Sequence, residues 1–150
     1  MGGGPRRGQV GPRNEKFEGP MPKQPLITIV DDDESVRQAL MSLMRAVGFV
    51  SEAYPCARDF LRSGRFDRTA CLIADVRMPG MTGLELHRHL VASGNPIPTI
   101  LITAHQDEEG RARALKAGVL CYLTKPFDEG DLLGCLHSAI EHAKKDGNGL

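Results

Sequence analysis

The sequence lacks several features that mark membrane and nucleic-acid-binding proteins. Tryptophan is absent, and aromatic residues make up only 5% of the 150 residues. Basic and acidic side chains number 19 each, so the zero net charge does not favour a nucleic acid as a direct partner of this domain. No apolar run approaches the roughly 20 residues that span a bilayer, and no signal-peptide core follows the N-terminal basic residues. We therefore expect no membrane contact.

Cysteine is scarce, and its spacing is uninformative. Cys56, Cys71, Cys121 and Cys135 are far apart in the sequence and include no C-x-x-C pair. This spacing indicates neither a zinc site nor a disulfide framework. A reducing cytoplasm is the location that best fits it.

The length predicts one folded domain with a polar N-terminal segment. With 150 residues and 41% hydrophobic content, the chain is long enough for one core and too short for two ordinary domains. Residues 1–25 are rich in glycine and proline, which predicts a disordered leader or tag-like arm. Translation starting at Met21, an added leader and a native disordered arm all remain open. Residues 26–144 are expected to fold, and residues 145–150 to form a flexible tail.

From Leu26 onward, short aliphatic runs alternate with helical periodicity. The run LITIV is the first predicted strand, and apolar residues at helical spacing follow it as far as Gly48. The other predicted strands are 49–54, 70–74, 99–103 and 119–123, and the helices after them are 56–64, 84–92, 107–118 and 128–145. Five such repeats predict a doubly wound α/β fold with a five-stranded parallel sheet.

Polar residues lie at the ends of four of the predicted strands. Asp31 and Asp32 come after the first strand, Asp75 after the third and Lys125 after the fifth, and Thr103 ends the fourth. In a parallel sheet the carboxyl ends of the strands lie at one edge, where ligands bind in open α/β folds. We therefore expect these side chains to lie close together.

The chemistry of this set favours a metal ion and a phosphoryl group. Clustered carboxylates repel each other unless a cation lies among them, and oxygen ligands favour Mg²⁺. A carboxylate can attack phosphorus when metal and lysine neutralise the transferring group. We assign Asp75 as the nucleophile, Asp31 and Asp32 as metal ligands, and Lys125 as the phosphoryl partner. The Thr103 hydroxyl would donate a hydrogen bond to the phosphoryl group, as the beginning of a switch.

Each of these residues also has a structural explanation when taken singly. The acidic run 31–34 could provide the N-cap and first-turn charges of a helix. Asp75 could be a turn residue, Thr103 a helix cap and Lys125 a solvated surface charge. Their joint occurrence, at successive strand ends, favours the functional interpretation.

Four segments resemble the receiver domain of two-component response regulators, in the order and at about the spacing of that family. They are IVDDDESVR, IADVRMPGMTGLEL, ILITAH and YLTKPF, and the resemblance covers residues 26–144. The chain looks most similar to transcriptional regulators of the nitrogen-fixation type. The resemblance implies a flavodoxin-like (βα)5 fold with strand order 2-1-3-4-5, and a signalling switch rather than an enzyme.

The resemblance also implies roles for individual site residues. Asp75 would accept a phosphoryl group from a sensor histidine kinase. Mg²⁺ would be bound by Asp31, Asp32, Asp75 and the backbone carbonyl of Arg77. Lys125 would pair with the phosphoryl group.

The same resemblance implies how the domain switches. Thr103 would move toward the phosphoryl group while Tyr122 turns inward. The Lys125–Pro126 peptide bond is expected to be cis. The surface formed by the fourth helix, the fifth strand and the fifth helix would carry the output, and phosphorylation would allow a homodimer to form through it.

Other interpretations remain open at this point. The chain could be a stand-alone receiver that acts through protein contacts, or a fragment of a longer DNA-binding regulator. Asp31-x-Asp33 also resembles the first motif of haloacid-dehalogenase-type phosphohydrolases, and a degenerate receiver could serve only for dimerisation. The side chains of His87, His89 and His105 are expected to face solvent.

Overall fold

Five parallel strands alternate with five helices in the computed structural model, which describes residues 24–148 and side chains as far as His142. The strand order is β2-β1-β3-β4-β5, so the predicted fold class and strand order are confirmed. The elements are β1 (Leu26–Val30), α1 (Glu34–Ala46), β2 (Val50–Tyr54), α2 (Ala57–Ser63), a 3-10 turn (Phe66–Arg68), β3 (Thr69–Asp75), α3 (Gly83–Ala92), β4 (Thr99–Thr103), α4 (Glu108–Lys116), β5 (Cys121–Thr124) and α5 (Glu129–Asn148).

The fifth strand begins two residues later than its apolar run predicts. The N–H of Val119 donates to the carbonyl of Ala114 and therefore closes α4 instead of joining the sheet. Gly118 makes the turn between them with φ +102°, in the left-handed region that favours glycine. The apolar run 119–123 thus contains both the residue that closes α4 and the start of β5.

The terminal boundaries remain predictions. The arm predicted at residues 1–25 lies almost wholly outside the described residues. At the other end, α5 extends to Asn148 and includes most of the segment that was expected to form a tail.

The core has two layers, one on each face of the sheet. Every residue of β1 and β4 is buried, as expected for strands covered by helices on both faces. One layer packs α1 and α5 on the sheet, and the other packs α2, α3 and α4. Fully buried members of the two layers include Ile27, Ile29, Met44, Leu132 and Leu136 in the first and Phe60, Leu72, Leu86, Leu90 and Leu101 in the second. Burial of each such side chain contributes about 1.5–3 kcal/mol.

Side-chain caps fix the starts of three helices near the carboxyl edge of the sheet. Asp33 caps α1 and accepts hydrogen bonds from the N–H groups of Ser35 and Val36. Thr82 and Glu85 form a reciprocal capping box at the start of α3, and Asp107 caps α4. The loops that follow β1, β3 and β4 are therefore held at both ends.

His87 contradicts the expectation that it faces solvent. Its side chain is only 4% exposed, whereas His89 and His105 are exposed as expected. The Nδ1 atom lies 3.2 Å from the Thr99 hydroxyl, and the Nε2 atom lies 3.2 Å from the Ala117 carbonyl oxygen. Hydrogen-bond partners on β4 and at the end of α4 offset the cost of burying a polar ring.

The cysteine pattern also requires a correction. Cys121 and Cys135 are joined as a disulfide, although their spacing did not indicate one. They are 14 residues apart in the sequence, and packing of α5 against β5 brings their Cα atoms to 6.4 Å. A tertiary contact of this kind leaves no short motif in the sequence.

Within the part of the chain that the structure describes, no helix has both the length and the apolar character needed to cross a membrane.

Candidate functional site

Three carboxylates meet at the carboxyl edge of the sheet. Asp31 and Asp32 follow β1, and Asp75 ends β3. These two strands are neighbours, and one carboxylate oxygen from each residue lies within 4.8 Å of the others. Asp31 and Asp75 are buried, whereas Asp32 is exposed. The strand order thus brings together the three acids that the sequence predicted.

The two carboxylate oxygens of Asp31 differ in their hydrogen-bond partners. Its Oδ1 atom accepts a hydrogen bond of 2.9 Å from the Asp33 N–H. Its Oδ2 atom is buried and accepts no hydrogen bond from any described residue. The Lys125 Nζ atom lies 3.6 Å from Oδ2, close enough for an ion pair but too far for a hydrogen bond. One buried oxygen therefore remains open for a further cationic partner.

Burial dominates the electrostatics of this cluster. Desolvation raises the pKa of Asp31, although the Asp33 N–H and the Lys125 charge oppose it. Desolvation also raises the pKa of Asp75, and the negative charge of Asp31 adds to this effect. Lys125 and a hydrogen bond from the Arg77 N–H act in the opposite direction on Asp75. Both carboxylates are costly to ionise without more positive charge nearby.

The donor set fits a hard divalent cation. Three carboxylates and a buried oxygen without a hydrogen bond from the described residues provide the oxygen ligands that Mg²⁺ prefers. His and Cys are absent from this cluster, so its chemistry does not resemble that of a typical zinc site. The structure thus supports Asp31, Asp32 and Asp75 as candidate ligands, while a role for the Arg77 carbonyl remains a prediction.

Thr103 and Lys125 come together because β4 and β5 are neighbours. Thr103 pairs with Thr124, and the Lys125 N–H donates a hydrogen bond of 2.7 Å to the Thr103 carbonyl. The Thr103 side chain is only 1% exposed, and its hydroxyl oxygen accepts a hydrogen bond of 3.1 Å from the His105 N–H. The Lys125–Pro126 peptide bond is cis.

Tyr122 points into the layer formed by α2, α3 and α4. It is 6% exposed and belongs to the same apolar cluster as Ala114 of α4. Burial raises the pKa of its hydroxyl, and the negative charge of Asp107 acts in the same direction. Arg111 of α4 donates a hydrogen bond of 3.0 Å to the Tyr122 carbonyl. Tyr122 on β5 therefore contacts α4 both through its side chain and through its carbonyl.

Two glycines at the site escaped the sequence analysis. A Cβ atom on Gly83 would lie 2.5 Å from the Asp75 carbonyl oxygen, so only glycine allows α3 to approach the end of β3 this closely. A Cβ atom on Gly110 would lie 2.6 Å from Asp107 Oδ2 and 3.3 Å from the Tyr122 hydroxyl. A glycine directly before the predicted helix 84–92 was a signal for Gly83, while nothing in the local pattern identified Gly110.

Asp33 does not join the carboxylate cluster. Its Oδ1 atom accepts hydrogen bonds from the Ser35 hydroxyl at 2.7 Å and the Ser35 N–H at 2.9 Å. These bonds, led by the one from the hydroxyl, lower the pKa of Asp33. Capping of α1 therefore accounts for Asp33, which leaves the resemblance of Asp31-x-Asp33 to a phosphohydrolase motif without structural support.

Comparison with known proteins identifies the family. Residues 27–137 match the response regulator receiver domain. The response regulator protein TmoT of Ectopseudomonas mendocina is 42% identical over 121 residues, which is 81% of this chain and 55% of that protein. The transcriptional regulatory protein FixJ of Azorhizobium caulinodans is 32% identical over 127 residues, which is 85% of this chain and 60% of that protein.

Solved structures show the same architecture. The response regulator StyR superimposes with a TM-score of 0.79 at 40% sequence identity, covering 85% of this chain and 64% of that one. The FixJ-N structure gives a TM-score of 0.72 at 34% identity, covering 80% of this chain and 96% of that one. The chain spans a little over half the length of the curated relatives described above.

The resemblance drawn from four sequence segments is therefore confirmed. The matched residues extend from β1 into α5, and the strand order and the acidic cluster agree with them. This chain belongs to the response regulator receiver domain family of two-component signalling.

Proposed function

We propose that the domain accepts a phosphoryl group on Asp75 from a sensor histidine kinase in a magnesium-dependent reaction. The observation that carries this proposal is the site around Asp31, where a buried oxygen accepts no hydrogen bond from the described residues and lies 3.6 Å from the Lys125 ammonium. Such a site is short of positive charge, and it adjoins a second buried carboxylate that can act as a nucleophile.

In the reaction, an Asp75 carboxylate oxygen attacks phosphorus as the bond from phosphorus to the donor's imidazole nitrogen or small leaving group breaks. The product is an acyl phosphate on Asp75. Asp31, Asp32 and Asp75, with the Arg77 carbonyl, would hold the metal ion. A bound Mg²⁺ would neutralise charge on the phosphoryl oxygens.

Lys125 and Thr103 would then recognise the phosphoryl group. Lys125 comes from the strand end beside Thr103, and its ammonium is already directed at the carboxylate cluster. We infer that it pairs with a phosphoryl oxygen after transfer. The Thr103 hydroxyl would exchange its bond from the His105 N–H for donation to the phosphoryl group.

Movement of Thr103 would reach the surface formed by α4, β5 and α5, which we call the switch surface. Tyr122 contacts α4 through the apolar cluster and through Arg111, so a shift of β4 or α4 changes the packing of Tyr122. We infer that this surface carries the output and that a phosphorylation-dependent homodimer forms through it. The domain thus acts as a signalling switch rather than a turnover enzyme, and the cytoplasm is its expected location.

Control of transcription is the output we favour, because one of the relatives is named as a transcriptional regulatory protein. Because the chain as a whole has no net charge, we expect it to act on DNA only through another module. A stand-alone receiver that acts through protein contacts is the alternative. Promoter binding by the natural full-length protein, with and without phosphodonor, distinguishes the two: phosphorylation-dependent binding supports the transcriptional role, and its absence supports the alternative.

Intact mass spectrometry tests the proposed reaction. The chain is incubated with a small phosphodonor, with and without Mg²⁺, beside the variants Asp75→Asn and Asp59→Asn. Asp59 is exposed on α2 and is not a member of the carboxylate cluster, so its variant is a matched control. We expect wild type and Asp59→Asn to gain one phosphoryl group only with Mg²⁺, and Asp75→Asn to gain none. Equal gain by Asp75→Asn would contradict the proposal.

A further inference from the structure

Cys121 and Cys135 form a pair that the phosphorylation chemistry does not use. Cys121 lies on the edge strand β5 and Cys135 lies on α5, and they are joined as a disulfide with a Cα–Cα distance of 6.4 Å. This distance is within the range in which two cysteines can be linked without movement of the backbone. Both residues are partly exposed, so small reagents in solution can reach the pair.

The other two cysteines of the chain differ from this pair in ways that matter for reactivity. Cys71 is fully buried, and burial raises the pKa of its thiol to about 12, which leaves almost no reactive thiolate. Cys56 is partly exposed but is not bonded to another cysteine among the described residues. Only Cys121 and Cys135 combine access with a partner.

The position of the pair links it to the switch surface. Side chains alternate along a strand, so Cys121 and Tyr122 face opposite sides of the sheet. Tyr122 packs in the cluster with α4, and Cys121 packs in the cluster that contains Leu132 and Leu136 of α5. Among the strands that the structure describes, β5 has only β4 as a neighbour, so a bond to α5 adds a second restraint to an edge strand.

We propose that Cys121 and Cys135 form a reversible thiol–disulfide site whose co-reactant is a small-molecule disulfide, and that the oxidised site restrains β5 against α5. The reduced site is a dithiol in which the strand and the helix are held only by packing. The oxidised site holds them covalently, on the side of β5 opposite Tyr122.

The exchange is balanced in two steps. The thiolate of one cysteine attacks a sulfur of the small disulfide, forms a mixed disulfide and releases one small thiolate. The thiolate of the second cysteine then attacks the protein sulfur of that mixed disulfide and releases the second small thiolate. Two protein thiols are oxidised, one small disulfide is reduced to two thiols, and the two protein protons pass to the released thiolates.

The consequence for signalling rests on the proposed function. If phosphorylation of Asp75 rearranges the switch surface, a covalent bond between β5 and α5 opposes that rearrangement. We expect the oxidised domain to show a smaller phosphorylation-induced change in this surface than the reduced domain.

The first test is a redox titration of the chain in buffers of reduced and oxidised glutathione. Thiols are trapped by alkylation and counted by intact mass, beside the variants Cys121→Ser, Cys135→Ser and Cys56→Ser. We expect wild type and Cys56→Ser to lose two thiols together and to regain them on return to reduced glutathione. Neither Cys121→Ser nor Cys135→Ser should form an intramolecular bond. Failure of wild type to form it, or loss of the bond in Cys56→Ser, would overturn the proposal.

The second test measures the restraint in the wild-type chain itself. Backbone hydrogen exchange is compared between the oxidised and reduced forms without phosphodonor, over residues 121–124 and 132–140. We expect exchange in these segments to be several-fold slower in the oxidised form, because local opening of the edge strand is opposed. Equal rates in the two forms would overturn the claim that the bond restrains β5.

Both tests are independent of phosphoryl transfer. If the chain takes up no phosphoryl group in either redox state, the proposed function fails while the redox site is still judged by its own two tests. If the chain is phosphorylated equally in both states, exchange over the same segments with phosphodonor shows whether the response is smaller in the oxidised form. An equal response would contradict the link to signalling.

Discussion

Asp31 is held in surroundings unlike those of a surface carboxylate. It is 0% exposed, and its Oδ2 atom has the Lys125 ammonium at 3.6 Å as an ion-pair partner. Desolvation is the largest influence on its pKa and raises it. Lys125 therefore compensates the negative charge of the Asp31 carboxylate only in part. A buried carboxylate that needs further positive charge is what we expect of a metal ligand.

This arrangement predicts how stability depends on pH. A carboxyl whose pKa is raised by folding contributes stability at a pH below its unfolded-state value, and that stability is lost as the pH rises through the folded-state pKa. Without metal ions, Asp31→Asn should therefore increase the free energy of unfolding at pH 7, because it removes a carboxylate whose ionisation is opposed by burial. Its advantage over wild type should shrink toward pH 4.

Thermal unfolding in the presence of a chelator, at several pH values, measures this effect. In a second series without chelator, added Mg²⁺ should raise the unfolding midpoint of wild type more than that of Asp31→Asn, because a ligand that binds the native state stabilises it. A variant that is less stable than wild type at pH 7, or that responds equally to Mg²⁺, would contradict the role given to Asp31.

Lys125 gives a second prediction at the residue scale. Lys125→Gln removes the cation nearest to the buried Asp31 oxygen and to the expected phosphoryl group. We expect the rate of phosphoryl uptake to fall by about two orders of magnitude, as when a preorganised charge is lost from an active site. The time course of intact mass with a small phosphodonor measures the rate. Lys116→Gln, which changes an exposed lysine on α4, should retain the wild-type rate; a similar fall in both variants would contradict a specific role for Lys125.

Among the elements, α3 packs closely against the end of β3 through a glycine. Gly83→Ala would place a Cβ atom 2.5 Å from the Asp75 carbonyl oxygen and 2.9 Å from Leu101 Cδ2. We expect it to lower the free energy of unfolding by about 1–3 kcal/mol, because α3 must move away from a packed strand end. Denaturant unfolding measures the change.

Gly134→Ala is the matched control for this substitution. Gly134 lies within α5, and among the described residues nothing approaches its added Cβ atom within 4 Å. Since alanine is the better helix former, we expect this variant to be more stable than wild type by about 0.5–1 kcal/mol. Equal changes in the free energy of unfolding for the two substitutions would show that close packing against Asp75 does not determine the effect of Gly83→Ala.

The elements also show which parts of the fold the sequence could predict. Buried parallel strands appear as short aliphatic runs, so LITIV and TILIT coincide with β1 and β4. The run VLCYL did not coincide with β5, because Val119 closes α4 by a hydrogen bond that has no signature in side-chain type. Element order follows from hydrophobic pattern, whereas boundaries depend on capping.

The candidate site was predicted to a similar extent. Polar residues at strand ends could be grouped because parallel strands place their carboxyl ends together, and the structure does bring Asp31, Asp32 and Asp75 together. Three features depend on contacts between distant elements and were missed or mistaken. They are the close approach at Gly83, the burial of His87 and the pairing of Cys121 with Cys135.

At the scale of the whole molecule, the proposed homodimer predicts that substitutions at two exposed apolar residues affect association differently. Leu115 on α4 is 39% exposed and Val91 on α3 is 48% exposed. Leu115→Glu should weaken phosphorylation-dependent association by about tenfold or more, because it places a charge in the proposed interface. Val91→Glu, on a different helix, should associate like wild type.

Sedimentation of the phosphorylated chain over a range of concentrations measures this association. Wild type that stays monomeric after phosphorylation would contradict the homodimer. Equal weakening by both variants would show that the interface is not specific to the switch surface.

The central claim is that Asp75 receives the phosphoryl group, and mapping the modified residue tests it most directly. After incubation with phosphodonor and Mg²⁺, borohydride reduces an acyl phosphate to an alcohol, and peptide mass spectrometry locates the altered side chain. We predict a single altered residue, Asp75, and no alteration when Mg²⁺ is omitted. Alteration at Asp31 or Asp32 instead, or at Asp75 regardless of Mg²⁺, would contradict the account.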